Sequence, residues 1–180
     1  MANFHSIENF KKEITDIARP YHFRVNFTGQ GFSENLTENL VNASVRTSAI
    51  PGLTINPVTV SYFGMNYHMA GTPTYEPLSC QFIIDGEYKV LKEWYKTISN
   101  VFNYTEGPVF HAPADYMGSV KLQSFAPTNV SGGGHASEYE LHLAWLSGIS
   151  VVTYGHETKD TPLVFDATIQ YSYYTSGGKS

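Results

Sequence analysis

The sequence predicts a mainly β domain with one packed helix (α+β), an antiparallel β-sandwich or partly open barrel. Three observations carry that reading. Aromatics make up 14% of the 180 residues, with 13 Tyr and 11 Phe, and such residues favour strands. Short segments with a hydrophobic period of two recur along the chain. A helical stripe with a charged opposite face occurs once in the body, late in the first half.

The elements follow in order. Ser6 caps a first amphipathic segment whose apolar positions Ile7, Phe10, Ile14 and Ile17 step by three, four and three, and Pro20 ends it. Residues 1–19 are therefore expected to form an N-terminal arm, residues 20–175 a single β domain, and residues 176–180 a flexible tail. Tyr21, Phe23, Val25 and Phe27 alternate with His22, Arg24, Asn26 and Thr28, which predicts a first strand. Val41, Ala43 and Val45 alternate with Asn42, Ser44 and Arg46 and predict a second. Leu53–Phe63 and Tyr67–Ala70 read as extended segments around a Gly64-Met65-Asn66 turn, with Pro57 marking an edge or a bulge. Leu78–Ile84 is an apolar strand. Glu87 to about Asn100 is the helix, with the stripe Val90, Leu91, Trp94, Tyr95 and Ile98.

The region from Asn103 to Gly118 reads as loop. Ser119–Phe125 predicts a strand, and Ser131–Ala136 a Gly-rich loop. Tyr139, Leu141, Leu143 and Trp145 form one face of a further strand, and Glu138, Glu140, His142 and Ala144 the other. Val151–Tyr154 adds a short strand. The last strand places Leu163, Phe165, Ala167, Ile169, Tyr171 and Tyr173 on a single face.

Residues 50–71 stand apart. The stretch is apolar, β-prone, rich in Gly and Pro, and contains no Asp, Glu, Lys or Arg. Monomers protect strand edges and exposed aromatics with charges. An unprotected segment of this length points to a partner, most simply another copy of the chain. Charged residues are also sparse overall, at 15% against roughly 25% in ordinary soluble domains, as suits a surface covered by neighbours.

Composition excludes several function classes. The net charge is −5, and the single basic pair, Lys11-Lys12, sits beside Glu13, so tight nucleic-acid binding lacks its phosphate contacts. One cysteine, Cys80, rules out an internal disulfide framework and reads as a buried thiol. No apolar run is long enough for a membrane helix, and the charged N-terminus is unlike a signal peptide, so folding in a cytoplasm is expected. His156-Glu157-Thr158-Lys159-Asp160 lacks the second His of the zinc-protease pattern. Glu138 and Glu140 share a strand face, which fits either paired acid–base work or a solvated surface. No nucleophile elbow or phosphate loop occurs. The chain reads as a structural protein: not an enzyme, with no cofactor and no metal.

The ordered set of features resembles the major tail tube protein family of contractile-tailed bacteriophages. The resemblance rests on Ala18-Arg19-Pro20 before Tyr21-His22-Phe23-Arg24-Val25, on Ile50-Pro51-Gly52, and on Tyr62-Phe63-Gly64-Met65-Asn66 followed by Ala70-Gly71. The helix bearing Leu91 and Trp94, the turn Pro127-Thr128-Asn129-Val130 and the Tyr-rich last strand follow in the family's order. The N-terminal arm departs from the pattern, and residues 131–162 are longer than the family's compact turn and strand.

The resemblance implies a homohexameric ring with a continuous inner β-barrel, stacked into a hollow tube inside a contractile sheath. DNA crosses that tube during ejection without tight binding. The implied partners are further copies of the chain, the tail sheath protein, and baseplate and tail-terminator proteins. The implied location is the virion tail, after assembly in the host cytoplasm, with no stable membrane insertion. Expected inter-subunit contacts are Ile50, Pro51, Leu53, Tyr62, Phe63, Met65, Tyr67 and Met69, and Glu138 and Glu140 are the expected channel-facing residues. The alternatives are a baseplate tube initiator, the tube of a related contractile injection system, and, more distantly, a β-sandwich glycan-binding module.

Overall fold

The computed structural model describes residues 20–103, 109–125, 137–155 and 161–177. The expected arm, the Gly132–Gly134 loop, the Pro127–Val130 turn and the His156–Asp160 segment lie outside the described residues. In chain order the elements are β1 (Phe23–Thr28), α1 (Glu38–Ser44), β2 (Val45–Ser48), β3 (Leu53–Tyr62), β4 (Met65–Tyr75), β5 (Leu78–Ile83) and α2 (Lys89–Val101). They continue with β6 (Phe102–Asn103), β7 (Val109–Phe110), α3 (Pro113–Tyr116), β8 (Gly118–Ser124), β9 (Ser137–Ile149), β10 (Val164–Gln170) and β11 (Tyr173–Gly177).

Seven strands make one antiparallel sheet in the order β1-β8-β9-β10-β5-β2, with β11 paired to β9 beside this path. The sheet does not close: β1 and β2 remain its two ends. Strand β9 is the hinge of this arrangement. Its first half, Glu138–His142, lies between β8 and β11, and its second half, Trp145–Ile149, pairs with β10.

The helix α2 lies over the inner face, and its Trp94 is the centre of the core. Trp94 meets Phe27 edge-on at 5.1 Å and Phe82 at 5.1 Å, while Phe82 stacks on Phe165 at 5.5 Å. These offset and edge-to-face contacts are the favoured geometries for aromatic rings. Val25, Val120, Leu141, Leu146 and Ile169 fill the space around them, all buried. One polar position sits in the helix interface. Thr97, fully buried, donates to the Glu93 carbonyl and accepts from Ser33 N, which pins the 29–37 loop to α2.

Several sequence expectations need correction. The segment expected as a second strand around Val41 is the helix α1. Thr37 caps it by accepting from Leu40 N at 3.4 Å, and over five residues an apolar alternation fits either period. On α2, Tyr95 is exposed rather than part of the buried stripe, and Thr97 takes the inward position. The loop between Asn103 and Gly118 contains β7 and α3, and residues 151–155 form no strand.

Two strands change phase. In β9 the residue Leu143 adopts φ 54° and the β8 register slips there, His142 facing Ser119 and Ala144 facing Gly118. The bulge moves the buried set from Leu141 to Ala144 and Leu146, so Leu143 points outward and is exposed. The single last strand is in fact two. It breaks at Tyr171-Ser172, and β11 pairs with β9, so Tyr173 turns outward and Tyr174 inward.

Candidate assembly interface

The β3–β4 hairpin forms a two-stranded sheet of its own and does not join the seven-stranded one. Its register places Val58 opposite Met69, Val60 opposite Tyr67 and Tyr62 opposite Met65. Cross-strand pairs share a face, so these six form one apolar face. Thr59, Ser61, Asn66 and His68 form the other, where Ser61 donates to Asn66 Oδ1 at 2.6 Å and Thr59 Oγ1 meets His68 Nδ1 at 3.1 Å.

A strand pair this amphipathic normally covers a core. Here all six apolar side chains remain 44–65% exposed. Fully burying such a side chain contributes about 1.5–3 kcal/mol, so a driving force on the order of 10 kcal/mol is left for association. Isolated two-stranded hairpins are marginal in water, which adds to the need for a neighbour.

The root of the hairpin is held firmly. Glu76 N donates to Gly52 O at 3.2 Å, and Tyr75 packs against Tyr171 and Tyr174 at 5.8 and 5.7 Å. The Tyr171 hydroxyl donates to the Glu76 carbonyl at 2.8 Å, and burial, helped by Tyr174, pushes its pKa up to about 12. A bulge between Ile55 and Pro57 separates this root from the outer blade. Gly71 faces it without room for a side chain: a Cβ there would collide with Asn56 O and lie 3.0 Å from Val58 Cγ2. At the tip, Phe63 and Gly64 both have positive φ, 46° and 78°, the backbone of a tight two-residue hairpin turn.

Most residues expected at subunit contacts therefore lie together. Leu53, Tyr62, Phe63, Met65, Tyr67 and Met69 are exposed on the hairpin and Ile50 is exposed just before it, whereas Pro51 is buried against its own chain.

A second surface has the opposite character. On the outer face of β1, β8, β9 and β11, register aligns three polar rungs: Arg24, Gln123 and Glu138; Asn26, Lys121, Glu140 and Thr175; Thr28, Ser119, His142 and Tyr173. Neighbours on this face engage each other. Lys121 pairs with Glu140 at 3.5 Å, Gln123 donates to Glu138 at 3.1 Å, and the Thr28 and Ser119 hydroxyls meet at 2.7 Å. His142 stacks on Tyr173 and bonds Thr175 Oγ1 at 3.0 Å. Glu138 and Glu140 do share this face, as the sequence suggested, but Lys121 pairs with Glu140, while Arg24 on the same face pairs with Glu38 at 3.8 Å. The chain's acidic surplus is not concentrated here.

The sequence missed the coupling between the two surfaces, because it depends on β11 joining β9. The Tyr75–Tyr171–Tyr174 cluster that anchors the hairpin also fixes the β10–β11 break. Elsewhere the described residues offer little reactive chemistry. Burial pushes the Cys80 thiol up to about 11, only partly offset by its contact with Ser48. Among the described residues no group of three or more His, Cys, Asp or Glu is placed to hold a metal ion, and no helix is long and apolar enough to cross a membrane.

An open antiparallel sheet wrapped on one helix, with a protruding apolar hairpin, defines a tube-type structural fold. The chain belongs to the phage tail tube protein family, whose sequence model matches residues 13–176. The fold is similar to the tube-terminating cap of the anti-feeding prophage, with a TM-score of 0.66, 9% identity, and 92% of this chain and 94% of that one covered. It is also similar to a chain in the sheath–tube terminator of the PVC extracellular contractile injection system in its extended state, with a TM-score of 0.64, 9% identity, and coverage of 92% and 100%. A chain in the sheath–tube complex of that system gives a TM-score of 0.60 at 10% identity, with 97% and 99% covered. At these identities the likeness concerns the fold. None of the curated proteins matches the chain in sequence. Membership of this family makes the protein a component of a phage tail or a related particle.

Proposed function

We propose that this chain is the repeating subunit of a tail tube, six copies closing each ring and the rings stacking into a hollow tube within a contractile sheath. The observation that supports this most is the uncovered apolar face of the β3–β4 hairpin. The apolar blade and the surfaces that could receive it are different parts of one chain, so the contact is heterologous, and repeated heterologous contacts give rings or open-ended filaments.

In this reading the polar face of β1, β8, β9 and β11 lines the channel. Four strands from each of six copies, spaced about 4.8 Å, give a wall roughly 37 Å across at zero strand tilt and wider when the strands tilt. Hydroxyls, amides and equal numbers of basic and acidic residues on that wall leave no basic patch to hold a phosphate chain, which suits DNA passing through without retention. Ring closure engages the free edge of β11. The outer edge of β1 is partly occupied already, because Asn42 Oδ1 accepts from Val25 N at 2.9 Å.

The test is Met65→Asp, which puts a charge on the apolar blade. The expected result is a folded protein with wild-type far-ultraviolet circular dichroism that no longer forms tubes in negative-stain electron microscopy. Normal tubes from this variant would falsify the hairpin assignment.

A further inference from the structure

The hairpin tip carries a residue that its own turn disfavours. A two-residue turn with both φ positive prefers Asn-Gly or Asp-Gly, and a bulky side chain at positive φ is a genuine outlier. Phe63 occupies that position at φ 46° with 89% of its surface exposed. Its ring stands edge-on to Tyr62 at 4.6 Å, so the tip presents a paired aromatic knob. Neither chain stability nor solubility accounts for Phe there, and strain of this kind gathers where a segment binds.

The body contains a matching hollow. Between β1 and the loop that follows β2, at the unclosed side of the sheet, lies a cleft of about 340 Å³ walled by His22, Phe23, Ala49, Ile50, Leu122 and Tyr139. An apolar cavity of roughly 150 Å³ holds one benzene ring, so this one has room for two. Among the described residues no Asp, Glu, Lys or Arg lines it, matching the uncharged tip.

The chain's own tip is out of reach. The hairpin leaves the body just after Ile50, at the cleft's rim, and a ten-residue strand carries the tip roughly 30 Å away. We propose that the cleft is the socket for the Tyr62–Phe63 tip of another copy of this chain. This rests on the tube-subunit reading and gives it a specific contact. Knob and socket sit about one hairpin length apart on each copy, so each subunit passes the contact on to the next.

Two experiments test the socket. In the first, Met65→Cys and Ala49→Cys are combined in the full chain and the protein is oxidised under assembly conditions. The native Cys80 is buried and does not compete. A ladder of disulfide-linked oligomers is expected. Assemblies that form without cross-links overturn the socket and leave the tube reading standing, whereas wild-type protein that stays monomeric at high concentration overturns both. In the second, Phe63→Asn relaxes the turn and removes the knob. The melting temperature should hold or rise while the concentration needed for assembly rises at least tenfold. Unchanged assembly overturns the proposal.

Discussion

In β5 the residues Leu78, Cys80 and Phe82 point alternately into a core closed by Trp94. In β3 the residues Val58, Val60 and Tyr62 alternate just as regularly and stay exposed. The two strands have the same period and a similar apolar content. Neither carries a charged residue, and they differ in what covers them. The sheet is folded over α2 and flanked by ion pairs such as Lys96–Glu93 at 2.6 Å. The hairpin has no charged residue, and no element among the described residues covers it. The comparison separates the apolar residues that fold this chain from those the fold leaves exposed.

Substitutions can break that separation or sharpen it. The largest stability effect is expected for Trp94→Ala, which empties the centre of the core and costs about 3–5 kcal/mol. Denaturant unfolding should show it, with assembly lost because the fold is lost. Next is Gly71→Val, where the new side chain meets Asn56 O across the bulge. A loss of about 1–3 kcal/mol is expected from overpacking, together with loss of tubes, because the blade is re-aimed.

Glu93→Gln acts on the body alone. The Glu93 carboxylate accepts from Lys96, Ser33 and Asn35, and Lys96 first and then Ser33 hold its pKa below the usual carboxylate range. A depressed folded pKa contributes stability that is present above the unfolded value near 4.3 and is lost as pH falls through the lower folded value. The variant should lose about 1–2 kcal/mol at pH 7 and show a shallower acid limb in a melting-temperature profile. The smallest stability change belongs to Tyr67→Asp, within about 1 kcal/mol of wild type as for an exposed cross-strand pair. Its effect on assembly should nonetheless be complete, read by sedimentation velocity.

Much of this contrast was legible in the sequence. The alternation in Phe23–Thr28 and Leu78–Ile83, the stripe of α2, and the uncharged stretch from Ile50 to Gly71 all found their counterparts in the fold. What was not legible depends on single residues or on distant partners. Thr37 turned a five-residue alternation into α1 through one capping bond. Leu143 reversed the phase of β9 through one positive φ. The last strand split because β11 found β9, a pairing that local periodicity does not encode. The shared face of Glu138 and Glu140 could be read, but the pairing of Glu140 with Lys121 could not, since it comes from cross-strand register.

The central claim is that the exposed hairpin face builds the assembly while the core builds the fold. Negative-stain electron microscopy of wild type and Tyr67→Asp, at matched concentration and salt and with melting curves in parallel, tests it most directly. The account predicts rings or hollow tubes from wild type, and dispersed monomers with a near-identical melting curve from the variant. Tubes from the variant, or a wild type that stays monomeric at high concentration, would contradict it.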